Sequence, residues 1–309
     1  MQSIDQVVLQ AVRMELGKHR WLYVMMVPGI LYFLVFRYLP MLGNVIALQD
    51  YQPFLGFSGS HWVGWKHFHR LFTEDTFLVL LRNTLMLFVY GFVFAFPIPI
   101  ILALMLNEVR KQLVKRFIQT VIYLPHFLSW VVVVSLSYLM LTTEGGIINN
   151  VLVSLGGSKI NFMLDASWFR PLYTIQSIWH DAGWGTIIYL AAIAGVDPSL
   201  YEAAEIDGAG RLRQIWHITL PGIRSVVVIL LILKVGDIME LSFDHVFLMA
   251  NAMNRSVADV FDTYVYNMGV RGGQFSYSAT VGLFKSVAGL VMVYLANRLA
   301  KKFGEEGIW

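Results

Sequence analysis

Apolar positions run along this chain in six long blocks separated by shorter polar connections. The blocks cover 21–48, interrupted by Arg37 and Pro40, then 77–106, 117–141, 172–194, 223–248 and 277–299. About 20 helical residues cross the hydrocarbon of a bilayer, so each block is long enough for one crossing. The pattern predicts an all-α polytopic membrane protein with six transmembrane helices. A soluble protein would have to bury six such helices on every side. The first block is not read as a cleaved signal peptide, because it lacks a short apolar core followed by a small-residue cleavage site. A segment 1–20 precedes the membrane domain 21–299, and a tail 300–309 follows it.

Composition agrees with the pattern. Of 309 residues, 57% are hydrophobic and only 14% charged, against about 25% charged in soluble domains; mean hydropathy is +0.62. The chain has no cysteine, which removes disulfides, thiolate metal sites and thiol nucleophiles. Net charge is +3 and the isoelectric point about 9.0, a balance that would fit nucleic acid if the basic residues were clustered without regard to the spans. They are not. Arg13, Lys18 and Arg20 precede the first block. Arg110, Lys111, Lys115 and Arg116 join the second to the third, Arg211, Arg213 and Arg224 the fourth to the fifth, and Arg298, Lys301 and Lys302 end the chain. With six crossings these groups share one side, and the positive-inside rule makes it cytoplasmic, with both termini. Anionic lipid headgroups are sufficient partners for this charge, and no nucleic acid is expected.

The opposite connections differ in character. The segment 49–76 is rich in aromatics and contains His61, His67 and His69. These histidines lack a supporting carboxylate pattern, and aromatics of this kind sit at membrane interfaces, so no metal is assigned. Residues 142–169 carry Gly-Gly turn signals at 145–146 and 156–157. Periodic apolar positions in 257–268 predict a short helix ending near Gly269.

One cytoplasmic connection, 196–222, has a distinctive build. Asp197 can cap a helix whose first residue is Pro198. Leu200, Ala203, Ala204 and Asp207 then share one face over two turns, and the two alanines keep that face low enough for another surface to approach. Gly208 lets the chain leave sharply, and residues 209–217 can form a second short helix before Pro221. On physics alone this is either an interfacial helix pair or a handle for transmitting force.

The stretch EAAEIDGAGRLRQIWHITLPGI, 202–223, resembles the EAA loop of ABC importer permeases. The family pattern is EAA, three residues, Gly, nine residues, Ile, one residue, Leu-Pro. It falls here on Glu202, Ala203, Ala204, Gly208, Ile218, Leu220 and Pro221 without departure. Asp207 and Ala209 add the DGA form common in carbohydrate importers, and 261–286 (FDTYVYNMGVRGGQFSYSATVGLFKS) resembles permeases of the LplB type, associated with oligosaccharide uptake. The resemblance implies the type I ABC importer permease fold, with an EAA coupling loop whose Glu202 helix docks on an ATPase and whose Gly208 makes the turn fit. It implies a second permease subunit, expected to be a different chain, two ATPase subunits that hold ATP and magnesium, an external solute-binding protein, and a carbohydrate cargo.

The chain itself shows no GxxxxGK[ST] phosphate loop, no assignable paired carboxylates and no recognisable nucleophile triad, so it is expected to be a transport component without a catalytic site or cofactor of its own. Polar groups inside spans are costly unless they face protein or water, which makes them the candidates for a substrate path: His126, Gln176, Trp179, His180, Asp181, Trp184, Lys234, Asp237, Glu240 and Lys285. Aromatic faces with charged and amide groups suit a sugar, and they are equally compatible with internal neutralisation. Lys234 and Asp237 can pair along one helix, and Asp181 can pair with Lys234 or Lys285 across helices. Pro125 can kink the third span, while Gly183 and Gly185 can admit close helix approach. A non-sugar cargo keeps the mechanism, whereas a channel or secondary transporter would not need the EAA loop.

Overall fold

Pro40 removes one backbone donor from the first apolar block, yet the helix does not stop there. In the computed structural model, which describes residues 18–302, 304 and 307, α1 is helical from Arg20 to Leu48. A π turn at Leu34–Tyr38 contains Arg37 and ends two residues before Pro40. The expected interruption is therefore absorbed: the carbonyl that faces proline lies inside a wider turn, which finds another donor. The same device recurs at Gly91–Ala95 before Pro97 and at Ile215–Thr219 before Pro221. Residues 1–17 of the predicted N-terminal segment, and 303, 305–306 and 308–309 of the tail, lie outside the described residues.

After α1 a two-residue hairpin pairs β1 (Gln49–Asp50) with β2 (His61–Trp62), Gln49 opposite Trp62. A short helix α2 (Lys66–Thr73) follows, then α3 (Thr76–Asn107). Next come α4 (Gln112–Phe127) and α5 (Trp130–Leu141), which meet at 100°. The predicted third span is thus not one straight helix. Leu124–Phe127 tightens into a 3-10 turn around Pro125, the chain extends at Leu128 and Ser129, and Ser129 caps the restart. A short helix α6 (Ile147–Ser154) leads to α7 (Ala166–Ala194).

Helices α8 (Pro198–Ile206) and α9 (Arg211–Gly222) form a knuckle, α8 bent 70° from α7. The second short helix runs on through Pro221, past the predicted end at 217. Helix α10 (Arg224–Met239) leaves α9 at 59°. The predicted fifth span reaches 248, but the helix ends nine residues earlier, because Asp237–Met239 forms a 3-10 turn and Glu240 is extended. Helix α11 (Phe243–Met249) is a separate piece. The predicted helix 257–268 is broken at Asp259–Val260, with α12 (Phe261–Val265) continuing into a π turn to Arg271. Gly269 does not end it: a Cβ there would crowd Ser278, so this glycine serves close packing, and Gly273 at φ 68° makes the exit. Helix α13 (Phe275–Lys302) completes the chain.

Helices α1, α3 and α13 are each long and apolar enough to cross a membrane, and the three bent pairs qualify when each is counted as one crossing. Together they give the six of the predicted fold. Away from the knuckle, Leu87, Phe162, Phe169, Val246 and Val260 pack one core, and Leu71, Leu80, Phe261, Tyr277 and Val281 another. Near the knuckle, Ala103, Tyr189, Ile193 and Ile223 close the bundle. The Lys285 ammonium pairs with Asp262 across α13 and α12, which offsets the cost of a charge in an apolar helix.

Candidate functional site

The knuckle forms as its sequence dictates. Asp197 accepts a hydrogen bond from the Ser199 amide at 2.9 Å, with Pro198 in the first turn. At the other end Ala209 N–H donates to Ala204 O at 2.8 Å and Gly208 takes φ 73°. This is a Schellman ending, which needs a residue without a Cβ penalty in the left-handed region. Tyr201 and Thr219 hydroxyls meet at 2.9 Å, Gln214 donates to Ala209 O, and Arg211 lies 3.5 Å from Glu108, the residue that caps the end of α3. The knuckle is thus pinned at its base. Its surface is open: Glu202, Ala203, Asp207 and Gly208 are exposed and Ala204 is half-buried. Leu200, Ile206, Leu212 and Trp216 are also exposed, Ile206 at 87%. A rigid protrusion with apolar side chains around a carboxylate is a docking surface in chemical terms.

Between α3, α7 and α10 lies a cavity of about 470 Å³. Trp130, Tyr173, Asp181, Trp184, Lys234, Asp237 and Glu240 are among its lining residues. Gly183 makes its wall possible, because a Cβ there would collide with the Ile122 carbonyl and the Tyr123 amide of α4. Lys234, Asp237 and Glu240 make no ion pair among the described residues. The expected Lys234–Asp237 neutralisation does not form, because the helix tightens into its 3-10 turn between them. Asp181 pairs with neither lysine. Its Oδ1 lies 2.5 Å from His180 Nδ1 and 3.1 Å from His126 Nδ1, while His180 Nε2–H donates to Leu128 O at 3.0 Å. These ligand-type atoms of His126, His180 and Asp181 all lie within 4.8 Å of one another, and the hydrogen bonds account for the arrangement. His61, His67 and His69 do not converge in this way: His67 is buried against Gln49 O and Asp50, and the other two are exposed.

In the cavity wall and behind it, aromatic and imidazole rings stack in series. Trp184 lies on His126 with centroids 4.6 Å apart, Trp130 on His180 at 4.2 Å, Trp130 on His245 at 3.8 Å, and His245 on Tyr173 at 4.2 Å. The stack joins the α4–α5 elbow to α7 and α11 and fixes the rings that face the cavity. Gln176 sits within this support, its Oε1 accepting from His245 Nε2 at 2.7 Å. The candidates therefore separate. Asp181, Trp184, Lys234, Asp237 and Glu240 face the cavity; His126, His180 and Gln176 hold its wall; Trp179 and Lys285 do not line it. Trp130, Tyr173 and His245 escaped sequence reading. His245 stood inside a predicted span and carried the same signal that selected His180, a polar group in an apolar run.

Residues 95–304 match the family described as binding-protein-dependent transport system inner membrane component. A Bacillus subtilis (strain 168) protein, polygalacturonan/rhamnogalacturonan transport system permease protein YteP, is 64% identical over 295 residues, covering 96% of this chain and 92% of its own. Protein LplB of the same organism is 55% identical, covering 95% and 92%. A chain of the crystal structure of a bacterial alginate ABC transporter, in complex with alginate pentasaccharide-bound periplasmic protein, superposes with a TM-score of 0.87 at 37% identity over 95% of this chain and 98% of that one. The chain is thus an ABC transporter permease subunit with the type I importer fold. The chain belongs to the family of binding-protein-dependent transport system inner membrane components.

Proposed function

We propose that this chain conducts an oligosaccharide across the cell membrane, drawing its power from ATPase subunits that dock on α8 and α9. The observation that carries the reading is the pairing of an exposed, base-pinned knuckle presenting Glu202 with a cavity whose wall combines two tryptophans with Asp237, Glu240 and Lys234, which form no ion pair among the described residues. Sugar rings have apolar faces that stack on aromatics and hydroxyl edges that bond to charged groups. The relatives named for polygalacturonan/rhamnogalacturonan and alginate support this cargo.

The basic connections support a cytoplasmic knuckle and cytoplasmic termini. ATP and magnesium belong to the two ATPase subunits. A solute-binding protein delivers cargo at the opposite face, and a second permease, a different chain, completes the path. Helix α1 buries none of its apolar window within this chain, so its faces are left for lipid and that second permease. ATPase closure moves the knuckle, and because α8 continues α7 through one bend, the motion reaches the wall carrying Asp181 and Trp184. Alternating access then follows from two packings that differ in contacts.

The test is the complete complex in proteoliposomes with its binding protein, measuring ATPase stimulation by neutral and acidic oligosaccharides. Stimulation by one saccharide class is expected, and Glu202→Ala should weaken it. Stimulation only by a non-sugar solute would overturn the cargo and leave the importer mechanism standing.

A further inference from the structure

Two neighbouring cations, Arg82 and Arg170, have no counter-ion among the described residues. Arg82 on α3 and Arg170 on α7 both turn toward the same oxygen, Asn83 Oδ1: Arg82 Nη2 at 3.3 Å and Arg170 Nη2 at 3.2 Å. Asn83 is wholly buried. Its amide donates to the carbonyls of Ser256 at 3.1 Å and Asp259 at 3.0 Å, which fixes the oxygen toward the guanidiniums. Arg82 also donates to Ser256 O at 2.9 Å. No carboxylate lies within ion-pair distance of either arginine among the described residues, and Arg170 Nε is buried with no partner. Arg82 is exposed, but Arg170 is half-buried; one neutral amide oxygen offsets little of its charge, and half-buried cations are ordinarily paired.

Their position gives the deficit a use. Asn83 is four residues from Leu87 and Arg170 three from Tyr173, and both of those residues line the cavity. These spacings share a helix face, so Asn83 and Arg170 sit about 5 Å, roughly one turn, beyond the cavity wall on the side away from the knuckle, and Arg82 reaches the same point through its contact with Asn83 Oδ1. Asp259, tied to Asn83, borders a second recess of about 410 Å³ that also holds Arg255 and Arg271.

Resting on the permease reading above, we infer that Arg82 and Arg170 form a carboxylate subsite at the outer mouth of the path, which selects acidic over neutral saccharides. Guanidinium groups match a carboxylate in a paired, planar geometry. A uronate passing the mouth supplies the missing charge, and Asn83 holds both forks in place while the site is empty. Arg170 faces between helices, on the stripe that lines the cavity, and this favours a travelling solute over a lipid phosphate.

The experiment measures uptake of tetragalacturonate into proteoliposomes holding the complete complex, with binding-protein affinity for the complex measured alongside. Arg82→Gln and Arg170→Gln are each expected to raise the half-saturating concentration of loaded binding protein roughly tenfold, the loss of one charge-assisted bond, with affinity for unloaded binding protein unchanged. Arg82→Lys should recover part of the loss, and complex yield by size-exclusion chromatography separates this from misfolding. Direct binding of tetragalacturonate and of its methyl ester to the solubilised complex, by saturation-transfer NMR, should show the acid weakened and the ester unmoved. Equal effects on acid and ester, a weakened grip on unloaded binding protein, or recovery by anionic lipid would each overturn the subsite while the importer stands. Absence of any saccharide-driven ATPase in the wild-type complex would instead bring down the cargo reading, and the subsite with it.

Discussion

Glu202 and Gly183 are both single residues whose surroundings set what a substitution does. Glu202 is exposed on a helix held from below by Tyr201–Thr219 and Arg211–Glu108, so removing its carboxylate touches no internal contact. Glu202→Ala should leave the permease's melting temperature within a degree or two, since isolated surface changes stay within about 0.5 kcal/mol, while substrate-stimulated ATP hydrolysis falls at least severalfold. A drop in both would place the residue in folding. Gly183 is the opposite case. An added methyl meets backbone atoms of Ile122 and Tyr123, which cannot rotate away as a side chain does. Gly183→Ala should cost about 2–3 kcal/mol by overpacking, read as a fall in melting temperature and complex yield. Close approach at Gly183 was legible in the sequence, as were Asp197, Pro198 and Gly208, because caps and glycines act within a few residues. The partners of Asp181 were not. Besides the adjacent His180, Asp181 meets His126 of the α4–α5 elbow, 55 residues away, and no local pattern encodes that meeting.

Elements were legible in extent and poorly legible in direction. Apolar runs located all six crossings because hydrophobic length is a sum over residues, but the 100° elbow between α4 and α5 depends on where the chain can find hydrogen-bond partners after Pro125. Prolines at 40, 97 and 221 follow π turns instead and leave their helices continuous, so proline alone does not decide between a bend and a bulge. The early end of α10 is a further case: the run from 223 to 248 is apolar enough overall to be read as one span, yet the helix tightens at Asp237 and the chain extends at Glu240, both at the cavity wall. At the knuckle, element and function meet in one bond. Asp197→Ala removes the acceptor for Ser199 N–H and should destabilise α8 by about 1 kcal/mol. Amide hydrogen exchange should speed up in 198–206 and not in α7, with stimulated ATPase reduced in proportion. Unchanged exchange would mean that packing at Tyr201, and not the cap, holds the helix.

Across the whole molecule, the end opposite the knuckle is held by contacts between residues far apart in sequence, and charge makes that end sensitive to acid. Glu74 joins α2 to α3 and accepts from Arg70 Nε at 2.6 Å and from the hydroxyls of Tyr264 and Tyr277 at 2.8 Å each, on α12 and α13. Burial pushes its carboxyl upward, but the three donors together outweigh that and hold it below the usual carboxylate range. Nearby, the Lys66 ammonium 2.6 Å from Asp50 draws that carboxyl down, against a smaller upward pull from burial. A carboxylate depressed in the folded state contributes stability that is fully present above its unfolded value, near 4.3 for Glu, and is lost as pH falls through the lower folded value. Glu74→Gln should therefore lower the melting temperature by an amount that is constant from about pH 8 to about pH 5, and the gap between variant and wild type should close only below about pH 4. A gap that already narrows near pH 6 would mean that another group governs the junction, and a gap absent at neutral pH would mean that Tyr264 and Tyr277 hold it through their ring packing alone.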